Sequence, residues 1–228
     1  MKIIAKIYND YTDKFGIPRQ SGIADTIISK IVFEKPYRDP SALKGIDEFS
    51  HLWLIWNFSQ SEINDFSPTV RPPRLGGNKR IGVFASRSPF RPNPIGLSSV
   101  KLIKIKETKN EGTVIYVSGA DLMNGTPIYD IKPYIPYSDC HTDAVGGFAE
   151  ERKDYSLKVV CPDELLRNFP KEKIETLLTI LSLDPRPSYH NDSSRIYGMT
   201  FAGYNVKFSV DNDTLFVKMV EAESNTPK

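Results

Sequence analysis

Arginine and proline crowd one stretch of the chain, RPPRLGGNKRIGVFASRSPFRPNPIGLS, from Arg71 to Ser98. It holds Arg71, Arg74, Lys79, Arg80, Arg87 and Arg91, five prolines, and no aspartate or glutamate. A core cannot hide that many fixed cations, and an ordinary surface loop has no need of them. Guanidinium groups grip carboxylates and phosphates in a fork geometry and stack on planar bases. The pattern therefore points to an anionic or planar ligand inside a rigid rim. Pro89, Pro92 and Pro94 restrict the backbone, which presets the directions of Arg87, Arg91 and Asn93.

Four other stretches carry polar chemistry, each with a plainer reading beside it. FGIPRQSG (Phe15 to Gly22) puts Arg19 and Gln20 after a turn-fixing proline, either as a solvated loop or as a hydrogen-bonding loop over a ligand. WNFSQ ends an apolar run with Ser59 and Gln60, which face a pocket or merely edge the core. GADLMNGTPIYDIKPY contains Asp121, Asn124 and Asp130. Its Asn-Gly pair signals a hairpin turn, whereas Asp130 within an apolar strand wants a partner, for which Arg87 is a candidate. LDPRPSYH holds Asp184, Arg186 and Tyr189 on a loop stiffened by Pro185 and Pro187, either as a helix end or as reacting groups.

Several familiar signatures are missing. No strand is followed by G-x-G-x-x-G, and no G-x-x-x-x-G-K-[ST] occurs. The three histidines, His51, His141 and His190, show no metal-ligand spacing with each other or with Cys140 and Cys161, so no metal is expected. His51 opens an apolar strand and reads as a satisfied core histidine.

The elements that must position these groups are mostly strands. KIIAKIY, DTIISKIVFEK, HLWLIWNFSQ, RIGVFASR, GLSSVKLIKIKETKN, GTVIYVSGADL and PIYDIKPYI follow one another, separated by Gly, Pro, Asn and Asp. The spacing suits a meandering sheet or barrel. HLWLIWNFSQ is apolar enough for a strand buried on both faces. DPSALKGIDEF predicts a helix with Asp39 as N-cap and Pro40 at its first position. The expected organisation is a β-rich main domain over 1–137, a connection over 138–161, and a small α+β domain over 162–228. In the last, PDELLRNFPKEKIETLLTILSLDPRP predicts helices and the end predicts a strand pair around Asp211-Asn212-Asp213. With 39% hydrophobic and 25% charged residues the chain reads as globular, and its net charge of +2 requires any nucleic-acid contact to come from a local patch. Two cysteines without a framework, no apolar leader and no membrane-length run imply a cytoplasmic protein with free thiols.

Taken together, IPRQ, FSHLW, the Arg71–Ser98 stretch, DL-x-x-GTP-x-x-DIKPY and DPRP-x-Y stand in one order. That order resembles the TrmO family of bacterial tRNA methyltransferases, also called YaeB or TsaA-like, over nearly the whole chain. The resemblance implies an antiparallel, non-Rossmann β-barrel that binds S-adenosylmethionine, a small C-terminal domain, and a homodimer. The implied reaction methylates N6 of threonylcarbamoyl-adenosine, 3′ of the anticodon in threonine-type tRNAs. The implied cofactor residues are Pro18, Arg19, Gln20, Ser59, Gln60, Arg87, Asp121, Leu122, Met123 and Asn124. Family members often carry His where Ser59 stands, which puts one cofactor contact in doubt.

For tRNA phosphates the candidates are Arg71, Arg74, Lys79, Arg80 and Arg91, because phosphate contacts supply most nucleic-acid affinity. N6 of the modified base is conjugated and weakly nucleophilic, so a nearby acceptor for its proton would help. Asp184 and Tyr189 are candidates, with Arg186 beside them, and Tyr189 could equally stack on the base. Two other readings stay open at this level. A noncatalytic RNA-binding barrel would need no S-adenosylmethionine, and a small-molecule methyltransferase would not need the Arg71–Arg80 cations.

Overall fold

Period-two alternation builds the first half of the chain. In β1 (Ala5–Tyr8) Ala5 and Ile7 are buried, and in β3 (His51–Asn57) Leu52, Leu54 and Trp56 are buried while their neighbours are half-exposed. The computed structural model describes residues 1–60, 66–72, 79–152, 155–186 and 192–223. Its further strands in this half are β2 (Ile28–Phe33), β4 (Thr69–Val70), β5 (Ile81–Gly82), β6 (Ile95–Thr108), β7 (Gly112–Ser118) and β8 (Pro127–Pro133). Six of them hydrogen-bond in a closed circle, β1-β2-β7-β6-β3-β8, with neighbouring strands antiparallel. The inward residues of these strands form one core with Ala120 and Leu122.

Three expectations change here. β3 is not buried on both faces: a closed circle of strands has one inner side, so every second residue faces out. The helix expected at DPSALKGIDEF is two 3-10 turns, Pro40–Leu43 and Ile46–Glu48, broken at Gly45, whose φ is 83°. Asp39 does cap the first turn, accepting from Ser41 N–H at 2.9 Å. RIGVFASR gives only the two residues of β5 and a 3-10 turn at Val83–Ala85.

After β8 come a helical turn, α1 (Pro136–Asp139), and β9 (Lys158–Val160). Then follow α2 (Ile174–Ser182), β10 (Tyr197–Phe201), β11 (Tyr204–Asp211) and β12 (Thr214–Ala222). The chain end is therefore three strands rather than two. A hairpin at Ala202-Gly203, with φ of 54° and 78°, precedes the expected one at Asn212-Asp213. β9 adds in parallel to β12, giving the order β10-β11-β12-β9. Leu177, Ile180 and Leu181 of α2 pack on this sheet. The same core takes Tyr11, Ala24 and Ile27 from the β1–β2 connection, so both halves of the chain meet around that connection.

Candidate functional site

A cleft of about 1900 Å³ opens where the β1–β2 connection, the barrel mouth and the loop after α2 converge. Small-molecule pockets usually measure about 300–1000 Å³, so this space holds more than one small ligand. Pro18, Arg19 and Gln20 line it from the β1–β2 connection, Ser59 and Gln60 from the end of β3, and Arg87 and Arg91 from the loop before β6. Asp121 and Met123 enter after β7, Asp184 and Arg186 after α2, and Arg71 and Arg80 flank β4 and β5. Residues spread over the whole sequence thus share one concavity.

Not every expected residue lies there. Leu122 is fully buried in the barrel core. Asn124 is exposed and ties the turn together: its N–H donates to Tyr11 O at 2.8 Å and its Oδ1 accepts from Asn9 N–H at 3.1 Å. Lys79 is exposed outside the lining. Arg74 and Tyr189 lie outside the described residues. His51 is half-buried rather than core, with Nδ1 2.9 Å from Ser50 Oγ.

At the barrel mouth a relay fixes Asp121. Trp56 Nε1–H donates to Ser98 Oγ at 2.9 Å, and Ser98 Oγ–H donates to Asp121 Oδ1 at 2.5 Å. Indole N–H is only a donor, so Ser98 must accept from it and send its own hydrogen to Asp121. The relay depends on Gly96, which pairs with Trp56 across β3 and β6. A Cβ on Gly96 would lie 2.1 Å from the Trp56 ring, so only glycine lets the indole cross diagonally towards Ser98. Burial pushes the Asp121 carboxyl above the usual aspartate range, while the Ser98 bond and the nearby Arg87 charge oppose that rise. Arg87 itself donates through Nη1 to Gln20 Oε1. The expected Arg87–Asp130 partnership does not form: Asp130 points outward and pairs with Lys132 at 3.0 Å.

Across the cleft Asp184 sits in a tighter knot. Arg186 Nε and Nη2 each donate to one of its carboxylate oxygens at 2.8 Å, and Tyr155 O–H donates at 2.9 Å. The residue is 8% exposed, with a left-handed φ of 54°. Burial alone would raise its pKa, but the bonds and charge of Arg186, with Tyr155, outweigh that and hold it below the usual range. A carboxylate so occupied is a weak proton acceptor. Arg19 closes the arrangement by donating through Nη2 to Asp184 O at 3.1 Å and Arg186 O at 3.2 Å.

Sequence reasoning missed Trp56, Gly96 and Ser98, although the alternation of β3 and β6 offered a signal. Leu52, Leu54 and Trp56 face in, so the cross-strand partners of Leu54 and Trp56, Ser98 and Gly96, must do so too. A buried serine beside a tryptophan and an aspartate needs partners.

Comparison with known proteins gives the chain's relatives. The model of the tRNA-methyltransferase O N-terminal domain matches residues 6–140, and that of the TrmO C-terminal domain matches 157–223. A tRNA (adenine(37)-N6)-methyltransferase of Escherichia coli K12 is 37% identical over 215 residues, covering 91% of this chain and 91% of that protein. One from Eikenella corrodens is 40% identical over 176 residues, covering 76% of this chain and 98% of that protein. A putative S-adenosylmethionine-dependent methyltransferase of Pseudomonas aeruginosa is 35% identical over 204 residues, covering 86% of each. A crystal structure of TrmO from Pseudomonas aeruginosa superposes with a TM-score of 0.73 at 30% identity, covering 96% of this chain and 97% of that one.

Proposed function

The chain belongs to the TrmO family of tRNA methyltransferases, and on that premise we propose that it moves a methyl group from S-adenosylmethionine to N6 of adenosine 37 in tRNA. The finer reading is that this adenosine carries a threonylcarbamoyl group, in threonine-type tRNAs. The observation that carries the proposal is one cleft that joins a relay-held, half-buried carboxylate to a rim of arginines. The residues fit the cofactor's chemistry. S-adenosylmethionine is a zwitterion with an extra sulfonium charge. Asp121 makes no ion pair among the described residues and can face a cation, while Arg87 and Gln20 offer groups for a carboxylate or a polar edge. Pro18, Arg19, Ser59, Gln60, Asp121 and Met123 complete the proposed cofactor site, and Leu122 and Asn124 hold the turn that carries the last two, one from the barrel core and the other through its bonds to Asn9 and Tyr11.

When bound, the cofactor supplies an electrophilic methyl. The chain's own work is positioning, since an in-line displacement gains most of its rate from holding the reacting atoms in place. Arg71, Arg80 and Arg91 hold phosphates; Lys79 and Arg74 are assigned to the same task from sequence alone. Asp184 and Arg186 lock the loop that leads to Tyr189, and Tyr189 keeps the proposed role next to the base. The reading includes a cytoplasmic location and a homodimer, and sedimentation velocity tests the second.

Nucleoside mass analysis of tRNA incubated with protein and S-adenosylmethionine is the decisive experiment. A gain of one methyl on the nucleoside at position 37 is the expected result. Cofactor binding without methylation of any tRNA would sink the reading in favour of a small-molecule methyltransferase.

A further inference from the structure

Of the exposed phenylalanines that line the cleft, Phe84 and Phe90 sit in its arginine-rich loop. Phe84 is 75% exposed and Phe90 48% exposed, and both line the cleft, one on each side of Arg87 in the chain. Their backbone is held firmly. Val83 is buried and its carbonyl accepts from Ser86 N–H at 3.2 Å and from Ser86 Oγ–H at 2.8 Å. Arg91 Nη1 donates to Ser86 O at 3.1 Å, and Phe90 N–H donates to Ser88 Oγ at 3.2 Å. A ring on a fixed backbone has few rotatable bonds left to order, so covering it costs little entropy. Exposed apolar surface in a concavity marks a place where something docks.

The surrounding charge says what docks. Among the described residues lining the cleft seven are cations and two are acids, and one of those acids, Asp184, is already paired with Arg186. A second copy of this chain, with a net charge of +2, brings no excess of acid to meet that rim. Single-stranded RNA brings both things required: phosphates for the arginines and flat faces for the rings.

We propose that Phe84 and Phe90 are stacking platforms for unpaired bases of the tRNA loop, beside the base to be methylated. The inference rests on the tRNA reading above and adds the groups that grip bases rather than backbone. Salt separates the two kinds of contact. Phosphate contacts release counterions and set the slope of log affinity against log salt, whereas stacking shifts affinity by the same factor at every salt.

The test is binding of a synthetic anticodon stem-loop RNA across a salt series. Phe84→Ala and Phe90→Ala should each weaken binding by about five- to a hundredfold at every salt, with the slope unchanged. Arg71→Ala should flatten the slope by about 0.7. Phe84→Tyr, which keeps the ring, should bind like the parent. Calorimetric affinity for S-adenosylmethionine should be the same in all the phenylalanine variants. Phenylalanine variants that bind the RNA within twofold of the parent would overturn the platforms and leave the tRNA reading standing. Loss of a dimer in Phe84→Ala would assign the face to a second copy instead. Failure of the parent protein to bind the RNA at any salt would overturn both readings.

Discussion

Asp121 and Asp184 face one cleft and respond to it in opposite directions. Asp121 is pushed up by burial, and Asp184 is held down by Arg186 and Tyr155 against its own burial. An unfolded aspartate titrates near 3.9. Folded Asp184 titrates lower, so its pair contributes fully above that value and is lost as pH falls through the depressed folded one. Asp184→Asn removes charge-assisted bonds worth about 1.5–3 kcal/mol. It should lower Tm by roughly 3–12 °C at pH 7 and abolish that part of the acid sensitivity. Single-turnover methylation per folded molecule should stay close to normal, because the carboxylate is already saturated with donors. A hundredfold fall with unchanged Tm would instead make Asp184 the proton acceptor. Sequence put Asp184 and Arg186 side by side but not facing, since the pairing depends on a positive φ at Asp184 that no residue type announces. Gly96 is the second single-residue test. In Gly96→Ala the new methyl meets the indole, so Trp56 must swing out and the relay to Asp121 breaks. About 1–3 kcal/mol of stability should go, with a shift in Trp56 fluorescence and weaker cofactor binding. An unshifted spectrum would mean that the ring tolerates the methyl.

Loops carry most of the site at the scale of elements, with only the relay seated on β3 and β6, and the legibility of loops and strands differs accordingly. Strands announced themselves through alternation, and most expected strands appear, although β3 faces inward on one side only and RIGVFASR keeps two strand residues. What alternation could not show was how the β1–β2 connection meets the loop after α2, because that contact spans 165 residues of sequence. Arg19 makes it, gripping the two carbonyls of Asp184 and Arg186. The next residue, Gln20, accepts from Arg87, so one connection touches both sides of the cleft. Arg19→Ala should leave the strands untouched and loosen the loop. Amide exchange at Leu183, Asp184 and Arg186 should speed up by about five- to tenfold, the worth of one part-exposed charged hydrogen bond. Unchanged exchange there would show that Arg186 and Tyr155 hold the loop unaided. The expected helix at Asp39–Phe49 failed for a local reason: Gly45 takes a left-handed conformation and restarts the turn.

Across the whole molecule the two family domains share more than a linker. Tyr11, Ala24 and Ile27 belong by sequence to the barrel half, yet they are 1%, 1% and 3% exposed within the core of the C-terminal sheet. Lys173 Nζ adds a 2.8 Å ion pair to Asp10, and Ala202 N–H donates to Asp10 O at 3.3 Å. The strand pattern weakens after about residue 137, which suggests a boundary there but gives no sign of this docking, since a tyrosine in a loop reads the same whether it anchors a neighbour or faces water. The consequence is thermodynamic coupling. A fragment ending at residue 140 would expose Tyr11 and Ile27, each worth roughly 1.5–3 kcal/mol of burial. Against a typical total of about 5–15 kcal/mol that is a large share, so the fragment should melt well below the full chain and lose order first between Asp10 and Ile27. The full chain should accordingly unfold in one calorimetric transition, with barrel and C-terminal signals falling together. Two separated transitions, with the barrel signal intact after the first, would show that the halves are stable independently. The cleft would then be a hinge between them instead of a wall they build jointly.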